Sequence, residues 1–504
     1  MLNRRTLLTS SFASSALAAV GGLPLALPRT ALAQGRKDTL NLGIVLEPTK
    51  LDPTAAAESS IAEVTLYNIY ETLTKVHADG SVSALLAESW QISPDLRTYT
   101  FKLRKGVKFH NGEPFSAHTV KFAFERAGGD KSANKDKRIF ANLGVHVVDQ
   151  DTVVLVNKEV EPNLLFLLGQ ATAIMVEPKS ADSNAARPIG TGPYQLESWR
   201  RGASLTLARW SAYRNASAIP IRRAVFKVIV DSAAQVTSLL AGDVDAFVRV
   251  DAARSMAQFK NDPRFQVIIA GSRAKTLMAI NNQRKPFDDV RVRRALCAAV
   301  NRKAVIEGAA EGYGVAIGSH YVSGAPGYID TTAINPYDPA KARALLQEAG
   351  IKTPLALTLT LPPTPYAAKG GEVIAAELAK AGIQARLVNV EWAQWMSSVY
   401  INHNYDLTLI SHVEPFDLGN WAKPGYYWGY RSKDFDALYA RIKTASAERE
   451  RHQLLAQAQR LLATDAAACF LYQPQWITIA DKRVRGLWKD MPLFTNDISA
   501  LSWA

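Results

Sequence analysis

The sequence is poor in cysteine, since only Cys297 and Cys469 occur among its 504 residues. The two lie far apart along the chain, and apolar residues surround both. Neither belongs to a spacing typical of a zinc or iron–sulfur site. Apolar neighbours favour buried free thiols, and a disulfide between the two cysteines remains the alternative. The sequence therefore predicts no cysteine-based metal centre.

Motifs of common enzyme classes are also missing. The sequence has no Gly-x-Ser-x-Gly elbow, no His-Glu-x-x-His helix and no phosphate-binding loop. The glycines of residues 312–318 have the wrong spacing for a dinucleotide-binding loop and indicate a connection. His110 and His118, like His403 and His412, are spaced so that neither pair shares a helix face. We therefore predict no catalytic residue, no cofactor and no metal site.

Long apolar runs are confined to the start of the chain. Arg4 and Arg5 precede a mildly apolar segment, residues 7–27, and the small residues 31–33 follow. This order of charged, apolar and small residues predicts that residues 1–33 are a signal peptide. The paired arginines favour the twin-arginine route over ordinary secretion. Glycines and a proline within the segment disfavour an uncleaved membrane anchor. We therefore predict a soluble protein of the periplasm.

Acidic residues are outnumbered, 46 against 59 lysines and arginines, which gives a formal net charge of +13. An excess of this kind can attract nucleic acid. Acids are nevertheless interspersed with the bases along most of the chain, and the densest basic group, residues 291–303, falls on predicted helices. A solvated helix face explains this group, and we predict no nucleic-acid partner.

The rest of the sequence is typical of an α/β protein that is too long for one simple core. Asp338 caps a predicted helix that ends at Gly350. Residues 355–361 predict a strand, residues 371–381 a helix and residues 383–390 another strand. This alternation indicates a sheet that is covered by helices.

Several short motifs in a fixed order resemble one known family. The most specific are residues 103–115, which contain the Asn111-Gly112 turn, and the glycine-proline loop of residues 190–194. The other matching segments are residues 87–90, 98–101, 120–126, 239–246, 286–296 and 337–346. Together they resemble the family 5 extracellular solute-binding proteins of ABC importers, the dipeptide, oligopeptide and nickel-binding group.

The resemblance implies an α/β, two-lobed periplasmic-binding-protein (clamshell) fold with an extra subdomain inserted in the first lobe. By analogy, the first lobe takes residues 37–78, 190–280 and 480–504, the inserted subdomain takes residues 79–189, and the second lobe takes residues 281–479. The chain would cross between the lobes near Ile280 and near Ile479, and the two crossings would form a hinge. A ligand that contacts both lobes would favour the closed form.

The same resemblance implies a periplasmic substrate-binding component of an ABC importer. Such a protein captures a small peptide or an amine-bearing organic solute and delivers it to a membrane permease, as a monomer and without catalysis. Two alternatives stay open: a secreted hydrolase that uses the same cleft, and a receptor that presents its ligand to a membrane sensor. Turnover of a bound solute would indicate the hydrolase.

Residues 391–430 form the candidate ligand pocket. The stretch holds ten aromatic residues in forty, whereas the whole chain is 9% aromatic. A predicted strand, residues 405–410, leads into a loop that carries Glu414 and Asp417. Carboxylates and ring faces both attract an ammonium group. The predicted ring faces are Trp392, Trp395, Trp421 and Tyr427. Ordinary core packing remains the alternative for all four.

The resemblance also suggests roles for single residues. In peptide-binding members of the family, an aspartate on this loop pairs with the ligand's amino group, and Glu414 matches its position. Ile410 and Ser411 replace the usual Gly-Trp before the loop. This change and the longer glutamate favour a shorter peptide or a non-peptide amine.

Three further residues are weaker candidates. For Asp417 a turn role is as open as a ligand role. His412 lies in the pocket loop, and because the family includes nickel-complex binders, a metal complex stays open as cargo. Ser59 is placed on the first-lobe side of the cleft by the resemblance alone.

Overall fold

The structure is a computed structural model that describes residues 38–56, 58–250 and 252–504. The chain divides into two compact units, Met1–Lys37 and Asp38–Ala504, and the described residues all belong to the second. The predicted signal peptide lies outside the described residues. Within the described part, no helix combines the length and the apolarity that a membrane crossing requires.

Twenty strands lie within the described residues and are numbered in chain order. They are β1 (Thr39–Ile44), β2 (Thr74–Val76), β3 (Val82–Ala84), β4 (Ala87–Ile92), β5 (Thr98–Leu103), β6 (Leu143–Asp149), β7 (Thr152–Asn157), β8 (Tyr194–Arg200), β9 (Ser204–Arg209), β10 (Arg223–Val228), β11 (Ala246–Phe247), β12 (Phe265–Gly271), β13 (Lys275–Ile280), β14 (Gly314–Ala316), β15 (Leu355–Leu361), β16 (Ile383–Asn389), β17 (Leu407–His412), β18 (Ala468–Asp481), β19 (Val484–Arg485) and β20 (Ser502–Trp503).

The α-helices of the described residues are numbered in the same way. They are α1 (Ser59–Thr65), α2 (Ala117–Gly128), α3 (Lys137–Ala141), α4 (Leu164–Leu167), α5 (Ser232–Ala241), α6 (Met256–Lys260), α7 (Val290–Ala299), α8 (Arg302–Ala310), α9 (Pro339–Glu348), α10 (Pro365–Lys380), α11 (Trp392–Trp395), α12 (Lys433–Thr444) and α13 (Glu448–Thr464).

A twelve-stranded sheet organises the described chain, and the long strand β18 runs through its middle. The strand order is β16-β15-β17-β13-β18-β11-β1-β10-β9-β8, and β12 and β14 also pair with β18. Residues 475–481 of β18 pair with β12, whereas residues 468–474 pair with β13 and β14. The strand therefore belongs to both halves of the sheet and changes partners between Pro474 and Gln475.

Each half of the sheet contains parallel strands. In one half β1 is parallel to β10 and β11, and in the other β15 is parallel to β16 and β17. Helix α5 connects β10 to β11, and helix α10 connects β15 to β16. Parallel strands of one sheet require such crossovers, because a tight turn cannot join them. The α/β prediction is confirmed.

The predicted helix of residues 371–381 begins six residues earlier than expected, at Pro365. Thr364 precedes it in extended conformation, and Pro365 is the first helical residue, where its missing N–H costs nothing. Gly370 and Gly371 lie inside this helix, and two adjacent glycines favoured a later start in the sequence-based prediction. Both are needed for close packing, because a Cβ at Gly370 would lie 2.8 Å from Leu409 and one at Gly371 2.5 Å from Leu361.

A separate antiparallel sheet, β4-β5-β7-β6, lies within the predicted inserted subdomain. The tight turn predicted at Asn111-Gly112 is present, and Gly112 has a φ of +88° that favours glycine. Ser116 is the N-cap of α2, and its backbone N–H donates to Thr119 Oγ1 at 3.0 Å. The lobe and subdomain boundaries themselves stay a prediction.

The two cysteines are buried free thiols in one half of the sheet, on α7 and β18. Their Sγ atoms lie 2.8 Å apart. Burial raises the pKa of Cys469 well above its ordinary value.

Candidate functional site

The candidate loop follows β17 at the carboxyl ends of the parallel strands β15, β16 and β17. Four consecutive residues of β17, Leu407 to Ile410, are buried, and the strand ends at the half-buried His412. Asp417–Ala422 then form a short 3-10 helix. Carboxyl ends of parallel strands are the usual position of ligand sites in open α/β sheets. Antiparallel β13 places Lys275 directly opposite His412 in this register.

Asp417 is the buried hub of the loop. One carboxylate oxygen accepts a hydrogen bond from Lys275 Nζ at 2.6 Å, and the other accepts one from His320 Nε2 at 2.8 Å. His412 Nδ1 lies 3.4 Å from that second oxygen. Burial alone would raise the pKa of Asp417, but the neighbouring His320 and Lys275 hold it well below its ordinary value. Both oxygens are thus engaged inside the protein, which favours a positioning role over a ligand role.

Lys275 and His320 were missed by the sequence reasoning. Lys275 is 2% exposed, and its ammonium also donates to the backbone carbonyl of Glu414. A lysine at the first position of an apolar strand usually indicates a solvent-exposed strand end. The sequence therefore gave no indication that Lys275 is buried. His320 lies in a polar loop, far along the sequence from Asp417, and nothing in its neighbourhood marks it.

Stacked aromatic rings pack around this polar cluster. Trp421 and Trp428 stack with ring centroids 3.9 Å apart, and the ring of His320 lies 5.6 Å from Trp421. Tyr427 shares a hydrogen bond of 2.9 Å with His412 Nε2. Trp395 donates its Nε1 to Thr408 Oγ1 at 3.0 Å.

Three of the four predicted ring faces are therefore packed inside the protein, since Trp395, Trp421 and Tyr427 are each at most 4% exposed. The contacts of these three favour the core-packing alternative. Trp392 differs because it is 44% exposed and packs its edge on Trp395, with centroids 5.7 Å apart. A π-helical turn, Met396–Ile401, follows directly, and such turns are frequent at functional sites.

The side chain of Glu414 is exposed. Its carboxylate forms no hydrogen bond or ion pair with any residue that the structure describes. Lys275 holds the backbone of Glu414 through a hydrogen bond to its carbonyl, whereas the Glu414 carboxylate remains available to a ligand. Its neighbour Val413 is also exposed, at 45%. Of the predicted site residues on the second half of the sheet, Glu414 and Trp392 are the two that present their side chains to solvent.

Ser59 is the first residue of α1, the helix that follows β1 along the chain. Its hydroxyl is 3.3 Å from Glu63 Oε1, and Glu63 in turn pairs with Arg249. Its ligand role stays a prediction, as do those of the other residues.

His320, His412 and Asp417 also form a potential donor set for a metal ion, since one ligand atom from each lies within 4.8 Å of the others. The ammonium of Lys275 binds the same carboxylate. A positive charge at that distance opposes a second cation.

Two buried histidines are expected to make the stability of the folded protein depend on pH. Burial lowers the pKa of His320 and of His110 to about 4, and His110 lies between the backbones of Gly190 and Gly192. In the unfolded chain these histidines become protonated near pH 6.5, whereas in the folded chain they stay neutral until about pH 4. We therefore expect stability to fall as the pH drops from about 6.5 to 4, by about 1.4 kcal/mol per pH unit for each histidine.

Urea midpoints at pH 7, 6 and 5 measure this dependence. His110→Gln should reduce the pH dependence of the free energy of unfolding by the contribution of one histidine, about 1.4 kcal/mol per pH unit. A midpoint that does not change over this range would show that neither histidine is buried in its neutral form.

The shared strand and the parallel strands in both halves are consistent with a two-lobed α/β fold. Residues 81–433 match the family described as bacterial extracellular solute-binding proteins, family 5 Middle. The chain therefore belongs to the family 5 bacterial extracellular solute-binding proteins, and both the family and the two-lobed fold predicted from the sequence are confirmed.

Individual relatives agree with this assignment. The chain is 28% identical over 488 residues to di/tripeptide-binding protein 1 of Pseudomonas aeruginosa (strain UCBPP-PA14), covering 87% of this chain and 90% of that protein. Its fold is similar to that of the ABC transporter-associated periplasmic binding protein DppA from Helicobacter pylori in complex with peptide STSA (TM-score 0.78, 23% identity, 92% and 98% covered). It is also similar to the PBP AgaA from A. tumefacien R10 in complex with agropinic acid (TM-score 0.77, 25% identity, 92% and 99% covered).

Proposed function

We propose that this protein is the periplasmic substrate-binding component of an ABC importer. It captures a small peptide or an amine-bearing organic solute between its lobes and delivers it to a membrane permease. The observation that carries the proposal is the exposed carboxylate of Glu414, which has no partner among the described residues and lies at the carboxyl ends of parallel strands. Family membership and relatives named for di- and tripeptides support the peptide class.

The binding energy requires more than one ion pair. A hydrogen bond to a charged group contributes about 1.5–3 kcal/mol, whereas micromolar affinity requires about 8 kcal/mol. Apolar burial has to supply the difference. Trp392 is the candidate among the four predicted ring residues, because the other three rings are already covered by protein.

A non-peptide amine is the second candidate class of solute. Ile410 and Ser411 stand where peptide-binding members have Gly-Trp, and Glu414 is longer than the aspartate of those members. A relative at 25% identity is described in complex with agropinic acid, so a comparable chain binds a ligand other than a peptide.

We further propose that the protein binds its solute without chemical change. Native mass spectrometry of protein purified from the periplasm tests both proposals. The expected result is a complex with one small solute, released intact on denaturation and carrying a basic nitrogen. Hydrolysed fragments would support a secreted hydrolase instead. Protein that carries nothing, and that takes up no peptide or amine added to it, would contradict the carrier function.

The route to the periplasm is also a proposal. Arg4 and Arg5, the apolar segment and the Ala-x-Ala site support export by the twin-arginine pathway. Replacing both arginines with lysine should retain the precursor in the cytoplasm, as measured by fractionation and immunoblotting. Unchanged export of this variant would indicate the ordinary secretion route.

The exported protein is proposed to act as a monomer without a cofactor.

A further inference from the structure

The two cysteines of the chain face each other in the interior of the protein. Cys297 lies on α7, and Cys469 is the second residue of β18, where it pairs with Met278 of β13. Their side chains are 2% and 1% exposed. Both belong to the apolar core that holds Leu409, whereas Trp421 of the pocket loop belongs to a separate core. The pair is therefore distinct from the proposed solute site.

The two sulfur atoms lie only slightly farther apart than a covalent bond would place them. Cys469 Sγ is 2.8 Å from Cys297 Sγ, about 0.8 Å more than the length of a disulfide bond, about 2.0 Å. The thiol of Cys297 also donates to the backbone carbonyl of Ala468 at 3.6 Å. A bond between the two sulfur atoms therefore requires a movement of less than the length of one bond.

Helix α7 is held against the segment that leads into β18. Arg293 Nη2 donates to the backbone carbonyl of Asp465 at 3.0 Å. Arg294 Nη2 donates to the carbonyl of Thr464 at 2.9 Å. Together with the bond from the Cys297 thiol, three side chains of one helix bind carbonyls of one short segment. The fold itself therefore sets the short distance between the two sulfur atoms.

The burial that brings the thiols together also separates them from reagents. Thiol–disulfide exchange requires a thiolate that can reach a disulfide. Burial and the neighbouring Cys297 raise the pKa of Cys469 well above its ordinary value, and the positive charge of Arg302 offsets this only in part. In the folded protein the pair is therefore protonated and out of reach, whereas the unfolded chain exposes both cysteines.

We propose that Cys297 and Cys469 form a disulfide when the chain folds in the presence of a disulfide oxidant, and stay thiols when the fold closes first. The thiolate of one cysteine attacks the oxidant's disulfide, forms a mixed disulfide and releases one thiolate of the oxidant. The second cysteine then attacks the mixed disulfide, which closes the bond within the protein and releases the other thiolate. Two electrons pass to the oxidant, and the two protons of the cysteines end on its thiols.

The compartment in which the chain folds would thus determine the state of the pair. The cytoplasm keeps thiols reduced, whereas the periplasm is oxidising. A chain that folds before export, as the proposed twin-arginine route implies, would carry the dithiol. A chain that is exported unfolded would carry the disulfide. The proposal itself depends on neither the natural export route nor the identity of the solute.

Two preparations of the mature chain, residues 34–504, test the site. One is made in the cytoplasm without a signal peptide, and the other is exported unfolded by a signal peptide of the ordinary secretion route. Each is denatured in iodoacetamide and its mass is measured. We expect two alkylated cysteines in the first and none in the second until it is reduced. Cys469→Ala, exported in the same way, is the control, because its remaining Cys297 has no second cysteine and should be alkylated.

Glutathione disulfide, added to the cytoplasmic preparation, tests whether the fold closes the pair. We expect the free thiols to disappear at least about tenfold more slowly in the folded protein than in urea, because groups in a core are exposed only in rare openings. The proposal is overturned if the exported protein keeps two free thiols, if the cytoplasmic protein already carries the disulfide, or if folding slows the reaction by less than this factor. None of these results affects the proposed carrier function.

Discussion

Glu414→Gln is expected to lower solute affinity by about 10- to 150-fold while leaving the melting temperature nearly unchanged. The range corresponds to the loss of one charged hydrogen bond, about 1.5–3 kcal/mol. The fold should be unaffected because the carboxylate is exposed and bonded to no described residue, and because Lys275 binds the backbone carbonyl, which the substitution keeps. Calorimetry with the solute identified from the periplasm measures the change.

Glu372→Gln is the matched control, because Glu372 is an exposed glutamate on α10 of the same half of the sheet. Equal affinity of the Glu414 and Glu372 variants would remove Glu414 from the site. A second comparison, Trp392→Ala, reports whether the exposed ring contributes the apolar share of the binding energy. Loss of binding in both single variants would support one site made by an acid and a ring.

The α/β class could be predicted from local sequence signals, whereas the two-lobed fold was predicted from the family resemblance. Asp338 accepts a hydrogen bond from the backbone of Lys341 at 2.9 Å, as expected for an N-cap, and Gly112 and Gly350 have the positive φ values that turns and helix ends favour. The start of α10 was predicted wrongly because Gly370 and Gly371 suggest a helix break. Only the structure shows that both glycines pack closely against strand residues.

The site was harder to predict, because burial decides the role of each side chain and sequence does not fix burial. Trp392 and Trp421 belong to one aromatic stretch, yet Trp392 is 44% exposed and Trp421 is 1% exposed. The sequence suggests a turn or a ligand role for Asp417 and no partner for it, and only the pairing of β13 with β17 brings Lys275 to its carboxylate. Long-range pairing of this kind leaves no local pattern in the sequence.

Asp417→Ala is expected to destabilise the protein by about 3–5 kcal/mol, the largest effect on stability that we predict. Removing one partner of a buried ion pair leaves the other charge without compensation. Here Lys275 is 2% exposed, and His320, which is 1% exposed, would lose its acceptor as well. Urea denaturation at pH 7 measures the loss. Asp130→Ala, at an exposed carboxylate, should change stability by less than about 0.5 kcal/mol.

Replacing both partners separates the structural role of Asp417 from a ligand role. The double variant Lys275→Met, Asp417→Leu removes the buried charges together, so it should recover a large part of the stability that Asp417→Ala loses. The unpaired His320 keeps the recovery incomplete. If Asp417 only positions the loop, the refolded double variant should lose less affinity than Glu414→Gln, because the Glu414 carboxylate is retained although its backbone carbonyl loses the hydrogen bond from Lys275. If the double variant loses as much affinity as Glu414→Gln, or more, while stability returns, a purely structural role of the Lys275–Asp417 pair is contradicted.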